Sequence, residues 1–152
     1  MTQEDKDLIL RDLCGRLSYG VKVYRKWIAP LSGSPEEGIF DFCIFDIEIL
    51  LSPYNWVSTE KGIREVREYD IKPYLFPLSS MTEEQKQELE DMGWSFDNFE
   101  INNINECLGT YREYVSHSDC FTLIDWLNKY HFDYHGLIPM GLAEDATGLG
   151  IY

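Results

Sequence analysis

The sequence lacks the short motifs by which the common nucleotide-binding and hydrolytic enzymes are recognised. It contains no GxxxxGKS or GxxxxGKT string, no GxGxxG, no GxSxG and no HExxH. These strings mark phosphate loops, dinucleotide sites, nucleophile elbows and zinc-binding helices. Their absence predicts a protein that is not an enzyme of these classes.

Closely paired cysteines are also missing. The four cysteines are widely spaced and form no CxxC pair: Cys14, Cys43, Cys107 and Cys120. Disulfides are rare in the reducing cytosol, where a free cysteine usually packs as a small apolar side chain. We therefore expect four buried or half-buried thiols.

No apolar segment is long enough to cross a membrane. The longest apolar run lies within residues 39–51 and is interrupted by three acids, whereas a spanning helix needs about 20 apolar residues. The first eleven residues also carry three acids, unlike the positively charged start of a secretory signal peptide. These absences predict a cytoplasmic protein that does not enter the membrane.

Positive charge is scarce and unevenly placed. The chain has 13 Lys and Arg against 27 Asp and Glu, for a net charge of −14. Residues 13–35 hold four cations and no acid, whereas residues 87–152 hold twelve acids and two cations. Such a field repels phosphate backbones and attracts cationic surfaces. We therefore expect a protein partner, basic in character, and no general nucleic-acid binding.

The residues that are present fit a single globular domain over residues 1–152. An apolar share of 44% and an aromatic share of 14% provide a core without metal or disulfides. Helices are predicted over residues 2–17, 82–92 and 118–130 from the spacing of apolar residues. Capping boxes at Thr2 and Asp5, and at Ser80 with Glu83 or Thr82 with Gln85, mark two helix starts, and Gly93 marks an end.

Strands are predicted from alternation of apolar and polar residues. Residues 19–28 form one strand, and residues 39–51 form the central one. In the second, the apolar positions change from even to odd near Ile44, which predicts a bulge or burial on both faces. Residues 60–66 carry a weak helical pattern. The expected fold is α+β, a small antiparallel sheet centred on residues 39–51 with the N-terminal and C-terminal helices packed on it.

A possible zinc site is the first of two patterns that point to chemistry. Three histidines and a cysteine spell H-x2-C-x10-H-x3-H, a finger-like spacing: His117, Cys120, His131 and His135. Zinc binds four such ligands, so zinc is the candidate cofactor. Residues 133–136 are typical of a turn, however, and Cys120 falls on an apolar helix stripe. Buried or capping histidines and a core cysteine are the preferred interpretation.

Two acids on the predicted central strand form the second pattern. Asp46 and Glu48 would share a face, about 7 Å apart at Cα, and such a pair binds Mg²⁺ or exchanges protons. The alternative is a solvent-facing half of the sheet, which we prefer because no third ligand is evident. These residues and the zinc set together support an alternative function, a small metal-assisted enzyme or ligand-binding domain.

Aromatic residues support protein binding. Trp56, Trp94 and Tyr111 are predicted to be exposed anchors for a partner, since Trp and Tyr dominate interface energetics. Residues 16–27 interleave four cations with aromatic residues, a pattern that also binds single-stranded nucleic acid. Alternatively, this cationic stretch docks on the acidic C-terminal half of the chain.

Two segments resemble proteins of a known group. The first runs over residues 72–83, KPYLFPLSSMTE, and the second over residues 133–152, beginning DYHGLI. They are similar to small uncharacterised proteins of gut Bacteroidales and of their phages and mobile elements, a group with no assigned activity. The resemblance implies an accessory or inhibitory factor of a mobile element and carries over no catalytic residue. Our first hypothesis is therefore a non-enzymatic interaction protein.

Overall fold

A computed structural model describes residues 1–28, 35–51, 56–59, 62–65, 68–94 and 117–152, some of them by backbone only. The helices are α1 (Gln3–Arg16), α2 (Ile44–Leu51), α3 (Glu83–Asp91) and α4 (His117–Lys129), with 3-10 turns at Leu17–Tyr19 and Leu78–Ser80. The strands are β1 (Lys22–Ile28), β2 (Pro35–Asp41), β3 (Trp56–Thr59), β4 (Gly62–Glu65), β5 (Glu68–Leu75) and β6 (Glu144–Asp145).

A mixed four-stranded sheet organises the fold in the order β2-β1-β5-β6. Strand β1 pairs antiparallel with both β2 and β5, and the short β6 runs parallel to β5. Strands β3 and β4 form a separate hairpin. The predicted α+β class is confirmed, but the centre of the sheet is β1 and β5, with β2 at an edge.

The predicted central strand over residues 39–51 is wrong beyond Asp41. Strand β2 ends there, and α2 begins at Ile44. The carboxylate of Asp46, at the third helical position, accepts the backbone N–H of Cys43 at 2.9 Å and satisfies a donor at the helix start. Asp46 and Leu50, four residues apart, are both buried. The change of apolar phase near Ile44 was therefore a strand-to-helix junction rather than a bulge.

The other helix predictions fare well where capping residues support them. Thr2 and Asp5 form the capping box of α1, and Thr82 with Gln85 forms that of α3. The Ser80 hydroxyl instead donates to the Pro77 carbonyl, so the alternative box at Ser80 is wrong. The weak helical pattern over residues 60–66 is also wrong, because residues 62–65 form β4.

Helices α1 and α2 cover one face of the sheet. Ile9 and Leu13 of α1 and Leu50 of α2 are fully buried in a cluster with Val23 and Ile71 of the two central strands. Gly15, on the next turn of α1, brings that helix against α4, because a Cβ at this position would lie 3.0 Å from the Nδ2 atom of Asn128. Helix α1 is thus held between the sheet and α4.

Helices α3 and α4 form a second apolar cluster beyond the end of β5. Leu89 of α3 packs with Leu123, Trp126 and Leu127 of α4, together with Phe132 just after α4. The segment after α4 then returns to the sheet through a bridge between residues 76 and 132 and through β6. In the described part of the chain, no helix is long and apolar enough to cross a membrane.

Candidate functional site

The predicted zinc ligands lie at opposite ends of α4. His117 and Cys120 are on its first turn, and His131 follows its last residue, Lys129. A helix rises about 1.5 Å per residue, so roughly 18 Å separates the two ends of α4. Zinc–ligand distances are about 2 Å, so the four predicted ligands cannot all meet at one ion. The side chains of His117 and Cys120 lie outside the described set, and zinc binding by a smaller subset stays a prediction.

His131 has a structural position that explains its burial. It has a left-handed backbone, φ 56°, and ends α4 in a Schellman motif, where glycine is the usual residue. The N–H of Phe132 donates to the Leu127 carbonyl at 3.0 Å, and the N–H of His131 donates to the Asn128 carbonyl at 3.1 Å. The preferred interpretation of a buried or capping histidine is therefore confirmed for His131.

The His131 ring is desolvated and neutral. Only 5% of the residue is exposed, and its Nδ1 atom has no hydrogen-bond partner among the described residues. Burial, and then the nearby charge of Arg16, lower the pKa of this imidazole to about 4. Burial likewise lowers the pKa of His135, whose ring lies 4.3 Å from that of Tyr134. Among the side chains that the structure describes, no three His, Cys, Asp or Glu residues form a metal-binding group.

A buried ion pair ties α1 to the end of α4. The Arg16 guanidinium binds both carboxylate oxygens of Asp12 at 2.7 Å, and neither side chain is exposed. The same guanidinium donates to the carbonyl oxygens of Phe132 at 2.8 Å and Leu127 at 3.4 Å. These carbonyls lie at or just after the C-terminal end of α4, where the helix dipole favours a cation. Arg16 therefore acts as a structural clamp, not as part of an open cationic surface.

The two acids proposed as a pair lie on a helix and not on a strand. Residues two apart on a helix point in nearly opposite directions, and Asp46 and Glu48 are both in α2. Asp46 is fully buried and pairs with Arg25 at 2.6 Å in addition to capping α2. The strand-based interpretation, including its solvent-facing alternative, is therefore wrong for Asp46.

The cationic stretch of residues 16–27 is neutralised within the chain. Each of its cations pairs with an acid: Arg16 with Asp12, Lys22 with Asp41, Arg25 with Asp46, and Lys26 with Glu37. All four acids come from the first third of the chain. The stretch still contacts the C-terminal half, through hydrogen bonds from Arg16 to the carbonyls of Leu127 and Phe132 and from Tyr19 to Asp125. The stretch presents no surplus of positive charge to a phosphate backbone.

Of the three predicted aromatic anchors, one is described in full. Trp94 is half-buried against the cluster of α3 and α4, and its backbone N–H donates to the Leu89 carbonyl at 2.9 Å. It follows Gly93, φ 87°, in the Schellman motif that ends α3. Trp94 therefore serves as the apolar contact of that motif. Trp56 lies in β3, where only the backbone is described, and Tyr111 lies outside the described residues.

The prediction of buried or half-buried thiols is wrong for two of the four cysteines. Cys14 and Cys43 are exposed thiols and not buried ones. Cys14 lies on the solvent side of α1, and Cys43 precedes α2. Cys107 and the side chain of Cys120 lie outside the described set.

Acidic side chains remain on the outer surface of α3. Glu84, Glu90 and Asp91 are exposed and form no ion pair with another described residue. Glu88, on the same helix, accepts hydrogen bonds from the Trp126 indole at 2.9 Å and from the Tyr130 hydroxyl. Those two donors lower the pKa of Glu88 and join α3 to α4. Helix α3 thus combines a fixed inner side with a charged outer one.

A surface groove on α4 was missed by sequence reasoning. It has a volume of about 460 Å³ and is lined by Phe121, Thr122, Ile124, Asp125 and Asn128. Phe121 is 70% exposed, the most exposed large apolar residue described. It lies two positions before Leu123, on the side of the helix away from the buried stripe. That displacement is the signal in the sequence that would have identified it.

The end of α1 and the 3-10 turn that follows it contact two of the residues that line the groove. The Tyr19 hydroxyl donates to an Asp125 carboxylate oxygen at 2.6 Å, and this bond raises the pKa of Tyr19. Gly15 contacts Asn128.

Comparisons with protein-family models, with curated proteins and with solved structures found no match, so the function must be argued from these residues.

Proposed function

We propose that this protein is a non-enzymatic interaction module that binds a partner with a basic surface. The observation that carries the proposal is the separation of charge. Six ion pairs occupy most of the described cations, whereas the exposed carboxylates of Glu84, Glu90 and Asp91 on α3 have no ion-pair partner among the described residues. Unpaired surface charge of one sign steers association with a surface of the opposite sign.

The described polar groups support binding over catalysis. The buried groups that a catalytic site would need are engaged in structural contacts: Asp12 with Arg16, Asp46 with Arg25, and Asp133 with the N–H groups of residues 137 and 138. The resemblance of residues 72–83 and 133–152 to proteins of mobile elements favours an accessory or inhibitory factor. We place its action in the cytoplasm.

The proposal is tested by capture from a bacterial lysate at low and high salt. The immobilised protein is compared with a variant that lacks two charges of α3, Glu84→Gln with Glu90→Gln. The matched control removes two charges from α1, Glu4→Gln with Asp7→Asn. We expect a stoichiometric basic partner that high salt releases, because screening shortens the Debye length below about 10 Å. We also expect the α3 variant to retain less of it than the control.

Two results would count against the proposal. One is the recovery of no stoichiometric partner by the unmodified protein. The other is a partner whose retention responds neither to salt nor to the charges of α3, since a steered basic partner must respond to both.

A further inference from the structure

We infer that the α4 groove is the seat of a short amphipathic segment of a partner protein, with apolar side chains against Phe121 and Ile124 and a cation beside Asp125. The inference rests on the proposed function and adds to it the place and chemistry of contact. The groove runs from residue 121 to residue 128, about 10 Å or two turns of helix. This length suits the helix-in-groove mode, in which anchors recur every three or four residues.

The apolar half of the groove provides the anchor. Phe121 and Ile124 are three residues apart on the same side of α4, and Phe121 is 70% exposed. An aromatic side chain at the rim of a groove buries a large area when a partner covers it. The floor is rigid, because Asn128 is buried, contacts Gly15 of α1 and accepts the Tyr134 hydroxyl at 3.0 Å.

The polar half of the groove selects the charge of the occupant. Asp125 is exposed, and one of its carboxylate oxygens accepts the Tyr19 hydroxyl. No ion pair joins Asp125 to a cation in the described part of the chain. A Lys or Arg side chain of the bound segment would form an ion pair with this carboxylate. A second copy of the chain is disfavoured as occupant, because it would bring another net charge of −14.

A peptide titration tests the seat directly. The probe is an amphipathic peptide made only of Leu and Lys, with Leu at helical spacing, and its analogue carries Glu in place of Lys. Binding is measured by calorimetry at ~0.15 M salt. We expect the Lys peptide to bind at least about tenfold more tightly than the Glu analogue. Phe121→Ser should weaken binding of the Lys peptide at least about tenfold, and Phe121→Leu should retain most of it.

Two further variants distinguish binding in the groove from nonspecific association of the peptide with the protein surface. Asp125→Asn keeps the acceptor for Tyr19 but removes the charge, so it should weaken binding of the Lys peptide and flatten its salt dependence. Met140→Ser removes an apolar side chain of similar exposure, 55%, that does not line the groove. It should leave binding unchanged, and circular dichroism checks that each variant is folded.

The outcomes distinguish this inference from the proposed function. If Phe121→Ser binds the Lys peptide like the unmodified protein, the groove is not the seat, while a salt-sensitive partner recovered from lysate still supports the proposed function. If neither the lysate partner nor the Lys peptide binds, both are wrong. A concentration-dependent dimer in sedimentation that Phe121→Ser abolishes would make a second copy the occupant and overturn the inference.

Discussion

The ring of His131 stacks on the ring of Tyr152, with centroids 3.9 Å apart and 14° between the planes. The Tyr152 hydroxyl donates to the Tyr74 carbonyl at 2.8 Å and accepts the N–H of Lys22 at 2.9 Å. One stacked pair therefore joins the end of α4 to two strands of the sheet. Burial raises the pKa of the Tyr152 hydroxyl to about 12 and lowers that of the His131 imidazole to about 4.

The first prediction concerns acid stability. The native pKa of His131, about 4, lies below its unfolded value of 6.5, so below pH 6.5 the unfolded chain binds a proton that the native ring resists. The contribution of His131 to the free energy of unfolding is therefore fully present above pH 6.5. It decreases by up to roughly 3 kcal/mol as the pH falls to about 4. His131→Asn, which tolerates the same backbone, should lose correspondingly less stability over this range in urea unfolding. Parallel pH profiles for the two proteins would contradict the assignment.

The second prediction concerns the left-handed backbone of His131. His131→Ala and His131→Gly both lose the stack on Tyr152, but only alanine keeps a Cβ at φ 56°. The glycine variant should therefore be more stable than the alanine variant by about 1 kcal/mol. Gly93→Ala, at φ 87° in the corresponding motif of α3, should be destabilised by a similar amount. Equal unfolding free energies for the two His131 variants would show that the backbone there relaxes.

The third prediction concerns the close approach of α1 and α4. Alanine in a helix is up to about 1 kcal/mol more stable than glycine. At Gly15, however, the added Cβ would lie 3.0 Å from the Nδ2 atom of Asn128, whose side chain is buried and hydrogen-bonded to Tyr134. Gly15→Ala should thus destabilise the protein, whereas Cys14→Ala, on the exposed side of the same turn, should be nearly neutral. A gain in melting temperature for Gly15→Ala would contradict the contact.

The sequence predictions were correct where an element is fixed by contacts between nearby residues, and they were wrong where distant residues are involved. The starts of α1 and α3 are fixed by side chains three residues apart, as at Thr82 and Gln85, so they could be read locally. In helix α2, by contrast, the buried carboxylate of Asp46 is compensated by Arg25, 21 residues earlier. An alternating pattern over residues 45–49 carried no sign of that contact, and the helix was mistaken for a strand.

Only the acidic character of the candidate site could be predicted from the sequence. The excess of acid was plain from composition. Of the ion pairs that neutralise residues 16–27, however, those of Lys22 with Asp41 and Lys26 with Glu37 depend on β1 and β2 lying side by side. The exposure of Phe121 depends on which side of α4 the helices α1 and α3 cover. The position of Phe121 two residues before Leu123 puts it away from the buried stripe, but this spacing does not show whether another element covers that side. Trp94, one of the three predicted anchors, is half-buried against the cluster of α3 and α4.

The fourth prediction concerns the buried ion pair of Asp12 and Arg16. Both side chains are fully buried. Removing one partner leaves the other charge buried and uncompensated, which should lower the free energy of unfolding by about 3–5 kcal/mol. Arg16→Met should show this loss in chemical unfolding, with an added part from the lost hydrogen bonds of Arg16 to the carbonyls of Leu127 and Phe132. Asp12→Leu should show a comparable loss.

The double variant of this pair gives the sharper test. Asp12→Leu with Arg16→Met removes both charges, so its loss should be smaller than the sum of the two single losses by at least about 1 kcal/mol. The control is Glu83→Gln, which breaks an exposed pair with Lys86 and should leave the unfolding free energy unchanged within error. Strict additivity of the Asp12 and Arg16 variants would mean that the two charges do not sense each other, contrary to their 2.7 Å contacts.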